Sequence, residues 1–269
     1  MTIWQQETLA RQLWATGKSP IPVYDMHGHM GDSQGIYHKR CQAEEMVLHL
    51  KRIGVTRLVF SHIDALAGIM RNAEVLEICK RYPDILRMYI AINPHHPEYI
   101  KEDLAEFKKF LPYAVGLKFL PAYHKVAVTD PAYEYALKFA DEHALPVLFH
   151  TWGNIPENNG RVMLETVQKY SRLKFFIAHC IYGEWDYAER CVKESNGNVW
   201  LELTAIPGVR GLVENLVNRV GSERLLFGTD MPWFDEYQAV GGILAARISE
   251  EDRHNILYRN VENIFGKHF

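Results

Sequence analysis

Eight short apolar runs punctuate the chain, opening near Ile21, Val55, Arg87, Ala114, Leu145, Lys174, Val199 and Leu225. They recur every 29 residues or so (roughly one strand–helix unit). Each run is continuously apolar rather than alternating, as in Arg57-Leu58-Val59-Phe60, Val147-Leu148-Phe149 and Phe175-Phe176-Ile177-Ala178. That continuity predicts parallel strands covered on both faces. Between the runs, apolar residues return at helical spacing. Ala43, Met46, Val47, Leu50 and Ile53 form one stripe, ended by Gly54; Val209, Leu212, Val213, Leu216, Val217 and Val220 form another, followed by Gly221. Eight such units predict an α/β fold, a (β/α)8 TIM barrel, with an open doubly wound sheet as the rival. Residues 3–16 predict an extra N-terminal helix and 251–265 a C-terminal one.

Composition narrows the class. The 269 residues are 48% hydrophobic and 23% charged, with no linker or low-complexity stretch, so residues 1–269 read as a single domain. Thirty basic against 33 acidic residues leave a net charge of −3, which argues against nucleic acid as a partner. No run reaches the roughly 18 apolar residues of a membrane span, and residues 1–7 have neither the basic flank nor the apolar core of a signal peptide. Cys41, Cys79, Cys180 and Cys191 show no CxxC spacing, as expected of reduced thiols in a cytoplasmic enzyme. A homo-oligomer is left open.

The 13 histidines change the picture. In a parallel barrel the loops at the C-terminal ends of the strands converge on one mouth. His27 and His29 end the first run, His62 the second, His150 the fifth and His179 the sixth, while His38, His95, His96 and His124 follow strand ends. Clustered imidazoles at a barrel mouth read as metal ligands and proton carriers. His27 and His29, two apart on a strand, face the same way and can share one cation. The loop 30–42, with Gly31 and Gly35, has the length and glycines of a lid. Other chemistries drop out: there is no GxSxG elbow, GxxxxGK phosphate loop or GxGxxG fingerprint. His179 and Cys180, being adjacent on a strand, face opposite ways and cannot form a nucleophile–base pair.

Tyr24-Asp25-Met26-His27-Gly28-His29 at strand one resembles the opening motif of the amidohydrolase superfamily. Gly116-Leu117-Lys118-Phe119 at strand four, Phe149-His150-Thr151 at strand five, Ala178-His179-Cys180 at strand six and Phe227-Gly228-Thr229-Asp230 at strand eight look like it too. Together they resemble the amidohydrolase-related (amidohydrolase 2) branch, which includes carboxymuconate-semialdehyde decarboxylase, resorcylate decarboxylases and several lactonases. The resemblance implies a metal-dependent hydrolase type of barrel, in which His27, His29, His150 and Asp230 bind one divalent ion, usually zinc, with His179 as a nearby acid/base group. Three nitrogens and a carboxylate suit zinc or manganese and leave room for water. Asp230 would touch both metal and water, and so carry a proton; its bland reading is a helix N-cap.

The neighbouring roles stay open. Asp25 is either a group that orients a ligand imidazole from behind or a buried, hydrogen-bonded strand-end carboxylate. Lys118 is a bridging carbamate, a substrate-carboxylate anchor or a solvated lysine; the anchor is favoured. His62, Arg71, His95, His124, Trp152, Tyr182 and Trp233 are candidates for holding a small, carboxylate-bearing substrate, or else ordinary loop surface. Hydrolysis of a small lactone, amide or ester ranks first. Non-oxidative decarboxylation of an unsaturated or aromatic carboxylate ranks second, and a metal-binding barrel without catalysis third.

Overall fold

A computed structural model describes residues 8–32, 41–267 and 269. Eight strands pair in chain order, all parallel: β1 (Tyr24–Met30), β2 (Arg57–His62), β3 (Leu86–Ile92), β4 (Ala114–Phe119), β5 (Pro146–Phe149), β6 (Lys174–Ile177), β7 (Val199–Glu202) and β8 (Leu225–Leu226). The circle closes by backbone bonds from Met26 N to the Phe227 carbonyl (3.0 Å), Asp230 N to that of His27 (2.6 Å) and His29 N to that of Met231 (2.8 Å). The barrel reading therefore holds and the open sheet does not. Every strand opens within three residues of its apolar run.

The helices follow their stripes. The first spans Ala43–Ile53, and Gly54 ends it at φ 87°, its N–H returning to the Leu50 carbonyl. The second runs Leu212–Val220; Val209, expected in its stripe, lies ahead of it and is exposed. The N-terminal helix covers Thr8–Thr16, and residues 3–7 of its expected range lie outside the described residues. The C-terminal helix starts at Glu250, one residue early, because Ser249 and Asp252 form a capping box, and it passes through a π turn at Asn255–Arg259. Most of the expected lid, with Gly35 and His38, also lies outside the described residues.

Two irregularities set up the site. Tyr24, Met26, Val59, Tyr89, Val115 and Phe176 pack together as the barrel interior. Between Asp25 and Gly28 the pairing with β2 slips by one residue, a bulge. Below the slip Tyr24 and Met26 point inward; above it His27 and His29 do. Strand β4 repeats the device between Ala114 and Gly116: Val115 is interior, Leu117 and Phe119 belong to the outer core, and Lys118 turns inward.

Candidate metal centre

At the C-terminal end of the barrel, His27 Nε2 lies 3.2 Å and His29 Nε2 3.0 Å from the same carboxylate oxygen, Asp230 Oδ1. All three side chains are buried. Nitrogen and oxygen ligands held about 2.1 Å from one cation stand about 3.0–3.4 Å apart, so the spacing fits a divalent ion. Burial alone would raise the Asp230 pKa, but His27, His29 and His179 outweigh it and hold the carboxyl well below its usual range. Burial pushes the His27 and His29 rings down, leaving them neutral, as ligands must be.

Each imidazole is oriented from behind. Glu202 Oε2 accepts from His27 Nδ1 at 2.8 Å, which makes Nε2, facing the centre, the nitrogen without a proton. Glu202 Oε1 is held in turn by the backbone N–H (2.7 Å) and hydroxyl (2.6 Å) of Thr204. Burial raises the Glu202 pKa to about 7. Ser61 Oγ lies 3.1 Å from His29 Nδ1. The Asn158 amide approaches His150 Nδ1 at 3.2 Å and donates to the His150 carbonyl at 2.7 Å. His150 stands beside the centre, its ring 5.1 Å from that of His179, but outside the tight group of His27, His29 and Asp230.

His179 is fully buried and, among the described residues, neither of its ring nitrogens has a hydrogen-bond partner. Its Nε2 faces Asp230 Oδ2 across 3.9 Å, and burial pushes its pKa down to about 4. His179, Cys180, Ile181 and Asp230 all occupy the left-handed region, with φ between 50° and 63°. Such backbone is strained in non-glycine residues and persists only where its surroundings fix it. Thr151 supplies part of that fixing, donating to the Ala178 carbonyl (2.5 Å) and accepting from Ile181 N (3.1 Å).

The remaining expected residues divide. Trp152 and Trp233 line a cavity of about 700 Å³ above His150, His179 and Asp230, with Tyr123, Phe234 and Lys125. Tyr182 stacks behind Trp152 at 4.5 Å, and the Trp233 ring lies tilted against that of His29 at 4.9 Å. Asp25 binds the His27 backbone N–H (3.0 Å) and both Thr229 donors, N–H (3.1 Å) and hydroxyl (2.5 Å). It joins β1 to the segment after β8, and orienting the imidazole falls to Glu202. Lys118 does not line the cavity; its Nζ is fully buried 2.7 Å from His27 Nε2, and burial lowers its pKa to about 8.

His62 accepts from Asp64 N as a helix cap (3.2 Å). His95 donates to the His124 carbonyl at 2.9 Å. His124 is spent on Tyr133 Oη and the Leu66 carbonyl, both at 2.6 Å. Arg71 pairs with Glu102 and Asp103. Glu202, Thr204, Asn158, Tyr123, Phe234 and Lys125 were not anticipated. The one signal for them was Val199-Trp200-Leu201-Glu202, a run ending on a carboxylate where a strand meets the mouth.

Paired strand-one histidines and a strand-eight aspartate converge at the mouth of the barrel, as a group that could hold a metal ion. The amidohydrolase family model (Amidohydro_2) matches residues 24–267, and the chain belongs to that family, whose members are metal-dependent hydrolases or carboxy-lyases. No curated protein sequence matches. Among solved structures, an uncharacterised TIM-barrel protein from Bordetella bronchiseptica is 16% identical with a TM-score of 0.76, over 92% of this chain and 99% of that one. A dihydroxybenzoic acid decarboxylase from a Polaromonas species, with bound manganese and 2-nitroresorcinol, is 17% identical (TM-score 0.74; 91% and 96% covered). A 5-carboxyvanillate decarboxylase from Novosphingobium aromaticivorans, also with manganese, is 12% identical (TM-score 0.70; 91% and 96% covered). Among the described residues no helix is long and apolar enough to cross a membrane.

Proposed function

We propose that the protein is a metal-dependent carboxy-lyase that removes carbon dioxide from a small, flat, aromatic or unsaturated carboxylate. The observation that carries this reading is the wall of the cavity. Tyr123, Trp152, Trp233 and Phe234 surround the space above Asp230, and among the described residues Lys125 is the one cation lining it. Aromatic faces favour a planar ring by stacking, and a lysine at the rim suits a carboxylate. A lactone, amide or ester needs no such walls, so decarboxylation moves ahead of the hydrolysis that the sequence ranked first. The decarboxylase neighbours, solved with manganese and nitro-aromatic ligands, support the same ranking.

His27, His29, His150 and Asp230 would hold one divalent ion, zinc or manganese. When bound, it supplies Lewis acidity to a substrate oxygen. The chain's own residues do the rest. The ring carbon takes up a proton, its bond to the carboxylate breaks, and the bonding pair returns to the ring as carbon dioxide leaves. Asp230, ionised and facing the cavity, would first take a proton from a substrate hydroxyl or from water and then deliver it to that carbon. His179, neutral and with neither ring nitrogen partnered among the described residues, hydrogen-bonds the reacting group. Trp152 and Trp233 hold the ring flat and exclude water. Buried thiols at Cys41, Cys79, Cys180 and Cys191, none in a disulfide, fit a reducing, cytoplasmic setting.

The test supplies zinc- or manganese-loaded protein with a panel of hydroxybenzoates, lactones and amides, and follows carbon dioxide release and product formation. Carbon dioxide from a hydroxybenzoate, absent in Asp230→Asn, is expected. Hydrolysis without carbon dioxide would return the lactone, amide or ester reading to first place.

A further inference from the structure

A second group of metal-ligating side chains lies outside the barrel mouth, where the helix Ala43–Ile53 meets the start of the helix Glu236–Ala245. His49 Nε2 stands 2.7 Å from Glu236 Oε2 and 3.5 Å from Asp235 Oδ2, and the three ligand atoms lie within 4.8 Å of one another. We propose that His49, Asp235 and Glu236 form a second divalent-cation site that fastens these two helices together.

Glu236 is the strongest sign. Its side chain is 1% exposed, yet among the described residues Oε1 has no hydrogen-bond partner while Oε2 meets His49. A buried carboxylate oxygen left bare is costly. An ordinary His49–Glu236 ion pair satisfies only the other oxygen, whereas a cation can engage both. Asp235 divides its two oxygens in a way that suits the site. Oδ1 caps the following helix, accepting from Tyr237 N (2.8 Å) and Gln238 N (3.3 Å), which leaves Oδ2 toward His49. A cavity of about 260 Å³, lined by these three residues and Glu45, adjoins the group and has room for water ligands. One imidazole with carboxylates is a donor set for zinc or manganese.

The position gives such an ion a purpose. β8 is two residues long, and the barrel closes against β1 through only a few backbone bonds. The helix carrying His49 follows β1, and Asp235 and Glu236 follow the loop that carries Asp230, Trp233 and Phe234. An ion there braces the seam from outside and fixes the loop that builds the cavity wall.

The experiment dialyses the full chain to equilibrium against Zn²⁺ alone and counts bound zinc by elemental analysis, with melting temperature as a second readout. About two ions per chain are expected in the native protein, the second bound more weakly, and about one in both His49→Gln and Glu236→Gln. Asp230→Asn should keep the outer ion and lose the central one. Added zinc should raise the melting temperature of Asp230→Asn, and that rise should vanish when His49→Gln is combined with it. Native protein binding one ion, with His49→Gln binding one as well, overturns the outer site and leaves the central one standing. Equal zinc-induced melting shifts in Asp230→Asn with and without His49→Gln overturn it too, and reduce the trio to an ion pair. His49 is half-buried on a helix flank, so its variant keeps the test informative even if Glu236→Gln folds poorly.

Discussion

Glu202 and His27 are joined by a 2.8 Å hydrogen bond inside the barrel, and that bond decides which imidazole nitrogen faces Asp230. A carboxylate behind a ligand histidine fixes its tautomer and raises its basicity. Glu202→Gln keeps the shape and removes the charge. Apparent zinc affinity should fall by about 10- to 100-fold, the usual cost of losing such support. Competition with a calibrated chelator measures it, and unchanged affinity would reduce Glu202 to a space-filling role.

Gly228 makes room for that pair. A Cβ there would stand 2.1 Å from Glu202 Oε1 and 2.8 Å from the His27 Cβ. Gly228→Ala should therefore weaken metal binding along with stability, by about 1–3 kcal/mol for the overpacking. Chelator competition beside urea unfolding checks both. A loss of stability with native metal affinity would show that Glu202 can yield without releasing His27.

His179 and His150 should separate under the same substitution. His179→Asn should keep metal occupancy near that of the native protein while turnover falls by roughly 100-fold or more, the scale of a positioned acid/base group. His150→Asn should lose metal and activity together. Elemental analysis and kinetics on both variants decide it. An empty site in His179→Asn would make His179 a ligand.

Asp230→Asn removes both a charge and a proton carrier. Turnover should fall at least ~100-fold with the fold retained, through loss of the central ion as well as of general acid–base chemistry. Circular dichroism and single-turnover kinetics test the two halves of that statement. Near-native turnover would move the proton to another group.

His124 gives a pH dependence with a definite sign. Burial pushes its pKa down to about 4, and the Leu66 carbonyl only partly offsets this. Folded, it stays neutral; unfolded, it takes a proton below about 6.5. Its contribution is therefore fully present above that pH and is lost as pH falls toward 4. For this group alone, stability should drop by about 2 kcal/mol between pH 8 and pH 5. Urea unfolding of metal-free protein measures the drop, and His124→Gln should shrink it by that amount. An identical pH slope in the variant would mean that His124 titrates normally.

Much of the barrel was legible because its strands, buried on both faces, are written as continuous apolar runs, and its helices as stripes closed by Gly54 and Gly221. The histidines and Asp230 were legible because strand ends are where side chains converge. His62, His95 and His124 follow strand ends just as His150 does, but a helix cap and backbone carbonyls consume their nitrogens, and sequence position does not show hydrogen-bond partners. Lys118 is turned toward His27 by the bulge in β4, which no residue pattern shows. Glu202 was missed because its partner lies 175 residues away.

Those two bulges have a consequence for how the molecule can change. The residues that fill the barrel and those that face its mouth are counted on opposite parities of the same strand, with one extra residue as the gearing between them. Substitutions at positions 24, 26 or 115 can alter the volume of the filling while the ring positions above keep their heading. Deleting one residue from the slipped stretch of β1 would cost the barrel one filling side chain and restore regular pairing, with His27 and His29 still heading for the mouth.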